Sequence, residues 1–399
     1  MTPEDSNQTD PIQKQTDPLE STELSSVPKA SIDLAPEPPV IEPAETRFLK
    51  SILFGPTGVR VGWLVALFVV LTLVFAGVFG TILQLALQHI FHLKIEKNTP
   101  QSFIFFESLQ TFSLLGAAFV CALIERRHVM DYNLSGPSRV RHFFTGMVGG
   151  FIALSALVGA LYAGGWLHVG AVALSGLAIL QFGLLWGIAF LGTGLSEEGI
   201  SRCYMLYTLT RGINFWWALG SVSTFCALAL INPKGNGSGG VYLMAALGVL
   251  PCLLLHLKKS PAAGFWQASW LTSTLFGYVH TSNDGETWIG IFSAAAIGFV
   301  FCVSVRVTGS AWWAIGFHAA WDWAQTFFYG TADSGFAPKG HYLTTTPAGP
   351  MLWSGGSDGP EGSLLVIPTV LLVLLALIVI YGRRRTLLQP SPDEPQIAA

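Results

Sequence analysis

The stretch Ala173–Ser196, ALSGLAILQFGLLWGIAFLGTGLS, contains no charged side chain and runs directly into two adjacent carboxylates, Glu197 and Glu198. About 20 predominantly apolar residues suffice to cross the hydrocarbon core of a bilayer. Backbone polar groups have no water partner there and must pair within their own segment, so the stretch reads as a membrane helix. Nine further stretches to either side read the same way: 62–83, 103–124, 143–165, 215–232, 240–257, 265–281, 287–305, 311–329 and 363–382. The fold class expected is therefore all-α, a polytopic transmembrane helical bundle of about ten spans.

Composition agrees. Charged residues make up 11% of the 399-residue chain, against about 25% in soluble domains. A deficit of that size leaves too few charges to coat a water-facing surface. Residues 1–46 are the exception, rich in Pro, Ser, Thr, Asp and Glu and nearly free of aromatics. They cannot bury enough apolar area to offset ordering entropy and are expected to form a disordered acidic tail. No signal peptide is expected ahead of the first span, which follows an acidic stretch. Lysine and arginine recur in alternate loops, at Arg60, Arg126, Arg127, Lys258, Lys259 and Arg383 among others. The positive-inside bias then places both termini in the cytoplasm. The five cysteines lie in or beside apolar segments without a C-x-x-C pair, so they read as small buried hydrophobes rather than disulfide or zinc-cysteine ligands. Nothing in the charge pattern suggests nucleic acid.

Ionisable groups inside such segments are costly, and each is a functional-site hypothesis. Three clusters qualify. In Leu195-Ser196-Glu197-Glu198-Gly199-Ile200-Ser201-Arg202, Glu198 and Arg202 stand four apart and can pair on one helix face. Glu197 points about 100° away, so one carboxylate can be held while the other is free for general-base work. The spacing alone does not say which carboxylate does which. Phe276-Gly277-Tyr278-Val279-His280 ends an apolar helix on a histidine. In His318-Ala319-Ala320-Trp321-Asp322, the polar pair again shares a face, and Asp322 could fix the imidazole tautomer. Each cluster has a plainer reading, as a helix-end charge cap, a structural histidine and a helix-to-helix polar contact. Together they describe a polar pocket inside a bundle that could hold water beside a peptide bond.

The ordered trio E-E-x-x-x-R, F-x-x-x-H and H-x-x-x-D resembles the CPBP family, which includes type II CAAX prenyl endopeptidases and bacterial bacteriocin-processing or immunity proteins. The resemblance covers roughly 173–329. The stretches Asp284–Trp288 and Gly316–Trp323 are similar to a bacterial branch. It implies a membrane endopeptidase in which Glu197 activates the attacking water, His280 orients it, His318 and Asp322 stabilise the oxyanion, and Arg202 holds Glu198. The implied partners are the lipid bilayer and a membrane-protein or lipidated-peptide substrate, in a bacterial plasma membrane. On this reading 47–172 are N-terminal membrane helices and 173–329 form the catalytic core, with an inserted helix pair at about 215–264. Residues 330–362 then form an extracytoplasmic loop and 363–399 a last span and tail. The residues depart from the family pattern at Asp322, often Asn, at Cys203, often Gly, and at Gly199 and Ser201, where bulky apolar residues are common. No cofactor is expected. Zinc is the alternative, with Glu197, His280 and His318 as ligands, although no H-E-x-x-H is present. Two rival functions use the same features: an inactive immunity or scaffold protein, and a transporter built around midplane charges.

Overall fold

Contacts divide the chain into Met1–Leu49 and Lys50–Ala399. The computed structural model describes residues 48–382 apart from 49, 51, 56–57, 91, 93–95 and 232–236. The acidic tail expected over 1–46 lies outside these residues. The helices and the site belong to the second unit.

Each of the ten apolar stretches holds a helix: α1 Val61–Leu85, α2 Pro100–Glu125, α3 Arg139–Ala163, α4 Leu177–Thr210, α5 Phe215–Ile231, α6 Ser238–Leu257, α7 Ala263–His280, α8 Trp288–Thr308, α9 Trp312–Trp323 and α10 Val366–Tyr381. The protein is an integral membrane protein of all-α build. The count of ten spans is not confirmed: among the described residues six helices, α1 to α4, α6 and α8, are long and apolar enough to cross a bilayer. α5 and α10 are apolar but shorter. α7 fails on composition, since it turns Gln267, Ser269, Thr272, Ser273 and Thr274 into the protein interior. α9 has only 12 residues before a π-helical turn, Ala324–Phe328.

The bundle is apolar on the outside. In α1, 11% of the most apolar window is buried, against 72% in α8, so α1 is a peripheral helix and α8 a central one. Local signals start and stop the helices as sequence chemistry requires. Thr99 and Ser102 form a reciprocal capping box at the start of α2, with Pro100 at its first position, satisfying donors that the first turn leaves open. Thr287 caps α8 and Gly309 ends it in the left-handed conformation that glycine adopts without strain.

Glycines set how closely the central helices approach. α9 lies between α3 and α4. A Cβ at Gly146 or Gly150 of α3 would strike the Trp313 or Phe317 carbonyl, and one at Gly316 of α9 would strike that of Phe143. On the other side, a Cβ at Gly194 of α4 would come 2.8 Å from the Ile315 carbonyl oxygen. Small residues spaced by four allow such backbone contact between membrane helices. They lock the helix carrying His318 and Asp322 against the helix carrying Glu197.

The segment 330–362, expected as a loop, carries short elements of its own. Leu343–Pro347, β2, pairs antiparallel with β1, Leu167–Val172. Helical turns come next at Met351–Ser354 and Pro360–Gly362. The β-branched run Thr344-Thr345-Thr346 suits a strand, and β1 supplies the partner edge. His341 is half-buried in this segment, its Nδ1 3.1 Å from the Pro338 carbonyl oxygen.

Candidate active site

α4 is the element that builds the site. It is α-helical over Leu177–Glu198, widens into a π-helix over Gly199–Met205, and resumes over Leu206–Thr210. The helix therefore runs well past the two glutamates and carries them inside the bundle rather than at its edge. π-turns of this kind cluster at functional sites. Gly199, at the departure, packs closely: a Cβ there would meet the tip of the Leu114 side chain of α2, which would have to move.

The two glutamates are divided by environment. Glu198 and Arg202 are fully buried, with Oε2 and Nε 3.2 Å apart. The contact is an ion pair without hydrogen-bond alignment, and among the described residues none of the three guanidinium nitrogens finds a hydrogen-bond acceptor. The guanidinium instead stacks over Phe276, 4.4 Å from the ring centroid, and faces Phe301 at 5.5 Å. A desolvated cation over an aromatic face gains more than an exposed one. Gly298 makes room for it, since a Cβ there would meet Nη2. The other oxygen of Glu198 lies 2.8 Å from Nδ1 of His318.

Glu197 faces the opposite way. Its side chain is 31% exposed and lines a cavity of about 400 Å³. Its Oε2 is buried, has no hydrogen-bond partner among the described residues, and lies 3.9 Å from Nε2 of His318. Asp322 Oδ2 lies 3.5 Å from the same nitrogen. The structure thus gathers Glu197, Glu198 and Asp322 around the His318 imidazole, with Arg202 paired to Glu198; these five form one cluster. His280 lines the same cavity, its Nδ1 2.7 Å from the Phe276 carbonyl oxygen. Among the described residues it makes no hydrogen bond or ion pair to the other five, and Nε2 is the nitrogen left for a ligand.

Five carboxylates outside the three sequence clusters belong to the same cavity. Glu107 of α2 accepts a 2.7 Å hydrogen bond from Ser196 Oγ, next to Glu197. It was legible as the one charge inside the span 103–124. Asp284 and Glu286 lie in the link between α7 and α8, within the stretch Asp284–Trp288 that carries part of the family resemblance, and Asp333 and Glu361 lie in the segment 330–362. Nothing in sequence spacing announced Asp333 and Glu361, because the segment that carries them is distant in the chain.

Zinc on Glu197, His280 and His318 would need three donor atoms converging on one point. Nδ1 of each histidine is engaged, with Glu198 and with the Phe276 carbonyl. Among the described residues, the donor atoms that do gather, within 4.8 Å of one another, belong to Asp322, Asp333 and Glu361. An all-oxygen set is not what zinc favours.

Residues 251–324 match the family model described as type II CAAX prenyl endopeptidase Rce1-like. No curated protein and no solved structure matches the chain. The match bears out the resemblance drawn from the motif trio and supports a membrane endopeptidase of CAAX type. The Rce1-like segment holds His280, His318 and Asp322, and starts after Glu197, Glu198 and Arg202. It also begins inside the stretch 215–264 that the sequence suggested as an insertion. The bundle brings α4 to that segment through the close approach of Gly194 to α9.

Proposed function

We propose that the chain is an intramembrane endopeptidase that hydrolyses a peptide bond of a membrane-associated or lipidated protein with a glutamate-activated water. The observation that carries this reading is the pairing of Glu197 and His318: a carboxylate oxygen without a hydrogen-bond partner among the described residues, 3.9 Å from an imidazole nitrogen, in a cavity walled by protein.

Glu197 takes a proton from a water in the cavity, and the hydroxide so formed adds to the scissile carbonyl. His280, through Nε2, orients that water. In its imidazolium form His318 donates Nδ1–H to Glu198 and Nε2–H to the oxygen on which negative charge develops. A donor fixed before the reaction stabilises that charge without reorganisation. Glu197 then passes its proton to the amide nitrogen as the C–N bond breaks, releasing the amine. Asp322 lies beside Nε2 of His318 and helps to aim the ring. Arg202 acts through Glu198. No step passes through a metal.

The experiment is turnover of a lipid-linked or transmembrane peptide by the purified protein in nanodiscs, with mass detection of the cut. Glu197→Gln is expected to lower kcat by at least about 10²-fold, as general-base loss does. Equal turnover by the variant removes the mechanism. An immunity phenotype that survives Glu197→Gln would instead select the non-catalytic reading.

A further inference from the structure

The two ends of the bundle differ in charge, and contacts between the links show which of them share an end. Glu125, closing α2, pairs with Arg211, just past α4, at 2.5 Å. The Ala311 amide and Trp312 Nε1, at the start of α9, donate to the carbonyls of Asn133 and Leu134 between α2 and α3. A Cβ at Gly264, opening α7, would strike the Thr210 carbonyl, and one at Gly212 would meet Val61 at the start of α1. Tyr381, closing α10, lies against His142 of α3. This end therefore carries Arg60, Arg126, Arg127, Arg211, Lys258 and Lys259, and Arg383–Arg385 follow α10 in sequence. At the other end the Lys339 amide donates to the Asn98 carbonyl, Thr287 donates to Asp358, and β1 pairs with β2. The links that meet there, 96–99, 164–176, 281–287 and 330–362, hold two lysines, Lys97 and Lys339, and no arginine.

The cavity belongs to the arginine-free end. Asn98, Asn283, Asp284, Ser334 and Phe336, from three of those links, line it, and Asp284 is exposed, so the cavity meets solvent there. None of its lining residues comes from 126–138, 211–214, 258–262 or 309–311. Depth agrees. Glu107, bonded to Ser196 beside Glu197, stands seven residues from the start of α2 and eighteen from its end. At 1.5 Å per residue that is about 10 Å below the open end and about 27 Å from the arginine-rich one. The longer path is filled. Arg202, Tyr204 and Ile315 are at most 1% exposed, and Asn133 Nδ2 donates to the Arg202 carbonyl at 2.8 Å. A chain entering from the arginine-rich end would have to displace this packing, including the Glu198–Arg202 pair that holds His318.

Lysine and arginine collect in the short links that stay in the cytoplasm, and this bias sets the orientation of a membrane bundle. The arginine-rich end is then cytoplasmic, and the cavity faces away from it. We propose that the cavity opens on the extracytoplasmic face of the membrane, and that the substrate is a membrane-anchored polypeptide cut in a segment exported to that face rather than in a tail presented to the cytoplasm. Such a segment enters between the α7–α8 link and 330–362. An extended chain spans about 10 Å in roughly three residues, so the scissile bond lies only a few residues from the membrane surface. Ile297 of α8 with Val370 and Val373 of α10 gives the cavity an apolar flank for the anchor. The substrate class rests on the endopeptidase reading; the side on which the cavity opens does not.

The test uses intact cells expressing the full-length chain with one added cysteine, Lys339→Cys at the open end or Lys258→Cys at the other. Both lysines are exposed and neither lines the cavity. The five native cysteines are buried or half-buried, and the parent chain sets the background. A charged maleimide crosses hydrocarbon poorly, so before lysis Lys339→Cys should label at least about 10-fold more than Lys258→Cys. After lysis the two should label equally, which shows that both variants fold and expose the thiol. The reverse pattern, or equal labelling of sealed cells, overturns the proposal. The substrate side is then read from new peptide termini in the cell membranes, compared by mass spectrometry between the wild type and Glu197→Gln. Termini lost in the variant should fall in extracytoplasmic segments close to a membrane anchor. Glu197-dependent termini on the cytoplasmic side sink the proposal and leave the endopeptidase standing. Outward labelling of Lys339→Cys without any Glu197-dependent terminus supports the entry side and counts against the endopeptidase alone.

Discussion

Glu198 Oε1 lies 2.8 Å from His318 Nδ1, and this contact turns the other ring nitrogen toward Glu197. Glu198 is fully buried and cannot itself reach a substrate. It is therefore expected to act on rate by holding the ring, as partners of catalytic or metal-bound histidines do. Glu198→Gln, which preserves shape, should lower kcat by about 10- to 100-fold while leaving KM close to its original value. Glu197→Gln should cost more. A Glu198→Gln variant as inactive as Glu197→Gln would mean that the two carboxylates share the base function.

Arg202 makes a separate prediction about stability. It is buried with Glu198 and stacked over Phe276. Arg202→Ala strands the Glu198 charge, and breaking such a buried pair costs about 3–5 kcal/mol. Arg202→Lys should not restore stability, because an ammonium lacks the planar face that stacks on the ring. The double variant Glu198→Gln with Arg202→Met should recover part of the loss by removing both charges. Thermal unfolding in detergent, followed by intrinsic fluorescence, checks all three. Full stability of Arg202→Ala would mean that water reaches this pair.

A third prediction concerns pH. Glu286 and Asp358 meet over the first turn of α8, where Thr287 donates to Asp358 Oδ2 from its amide at 3.0 Å and its hydroxyl at 2.7 Å. Burial, and then the charges of Asp358 and Glu361, raise the Glu286 carboxyl from its ordinary 4.5 to about 10. Burial likewise raises Asp358, from 3.8 to about 6. A carboxyl raised on folding binds more protons in the native state than in the unfolded one. Its contribution to stability is complete below pH 4.5 and is lost as pH rises toward 10, the reverse of a salt-bridged carboxylate. The melting temperature should accordingly fall across that range. Glu286→Gln should flatten the slope and melt higher than the wild type at the alkaline end. A wild-type profile that rises with pH would contradict the protonated native pair.

Much of the bundle could be read from the chain because apolar length is a local property. Each of the ten stretches, from 62–83 to 363–382, holds a helix. What the chain could not show is which helices have the length and composition to cross, since α7 carries a polar face turned inside and α9 gives way to a π-turn. The pairing of Glu198 with Arg202 was readable as a four-residue spacing, and it survives the π-helix that carries it. Asp333 and Glu361 were not readable. They lie in a segment that looks like a flexible loop by composition, and their approach to Asp322 depends on β2 finding its partner edge at β1. Glu107 could have been found by the reasoning that found Glu197. Gly146, Gly149 and Gly150 could have been recognised as a close-packing face, as the G-x-x-x-G spacing in α3 provides.

That glycine face yields the last prediction. At Gly150 a Cβ would collide with the Phe317 carbonyl, which belongs to the residue before His318. A carbonyl fixed in a helix cannot yield by rotating a side chain, so Gly150→Ala must push α9 away from α3 and displace His318 relative to Glu197. Overpacking of this kind costs about 1–3 kcal/mol. A displacement of about 1 Å at reacting groups can cost on the order of 10²-fold in rate. Gly159 in the same helix has nothing within 4 Å of its would-be Cβ. Gly159→Ala should therefore be neutral or stabilising by up to about 1 kcal/mol, through helix propensity. Comparing the two variants by melting temperature and peptide turnover separates packing from propensity. Gly150→Ala with wild-type turnover would show that the spacing of α3 and α9 does not set the position of the imidazole.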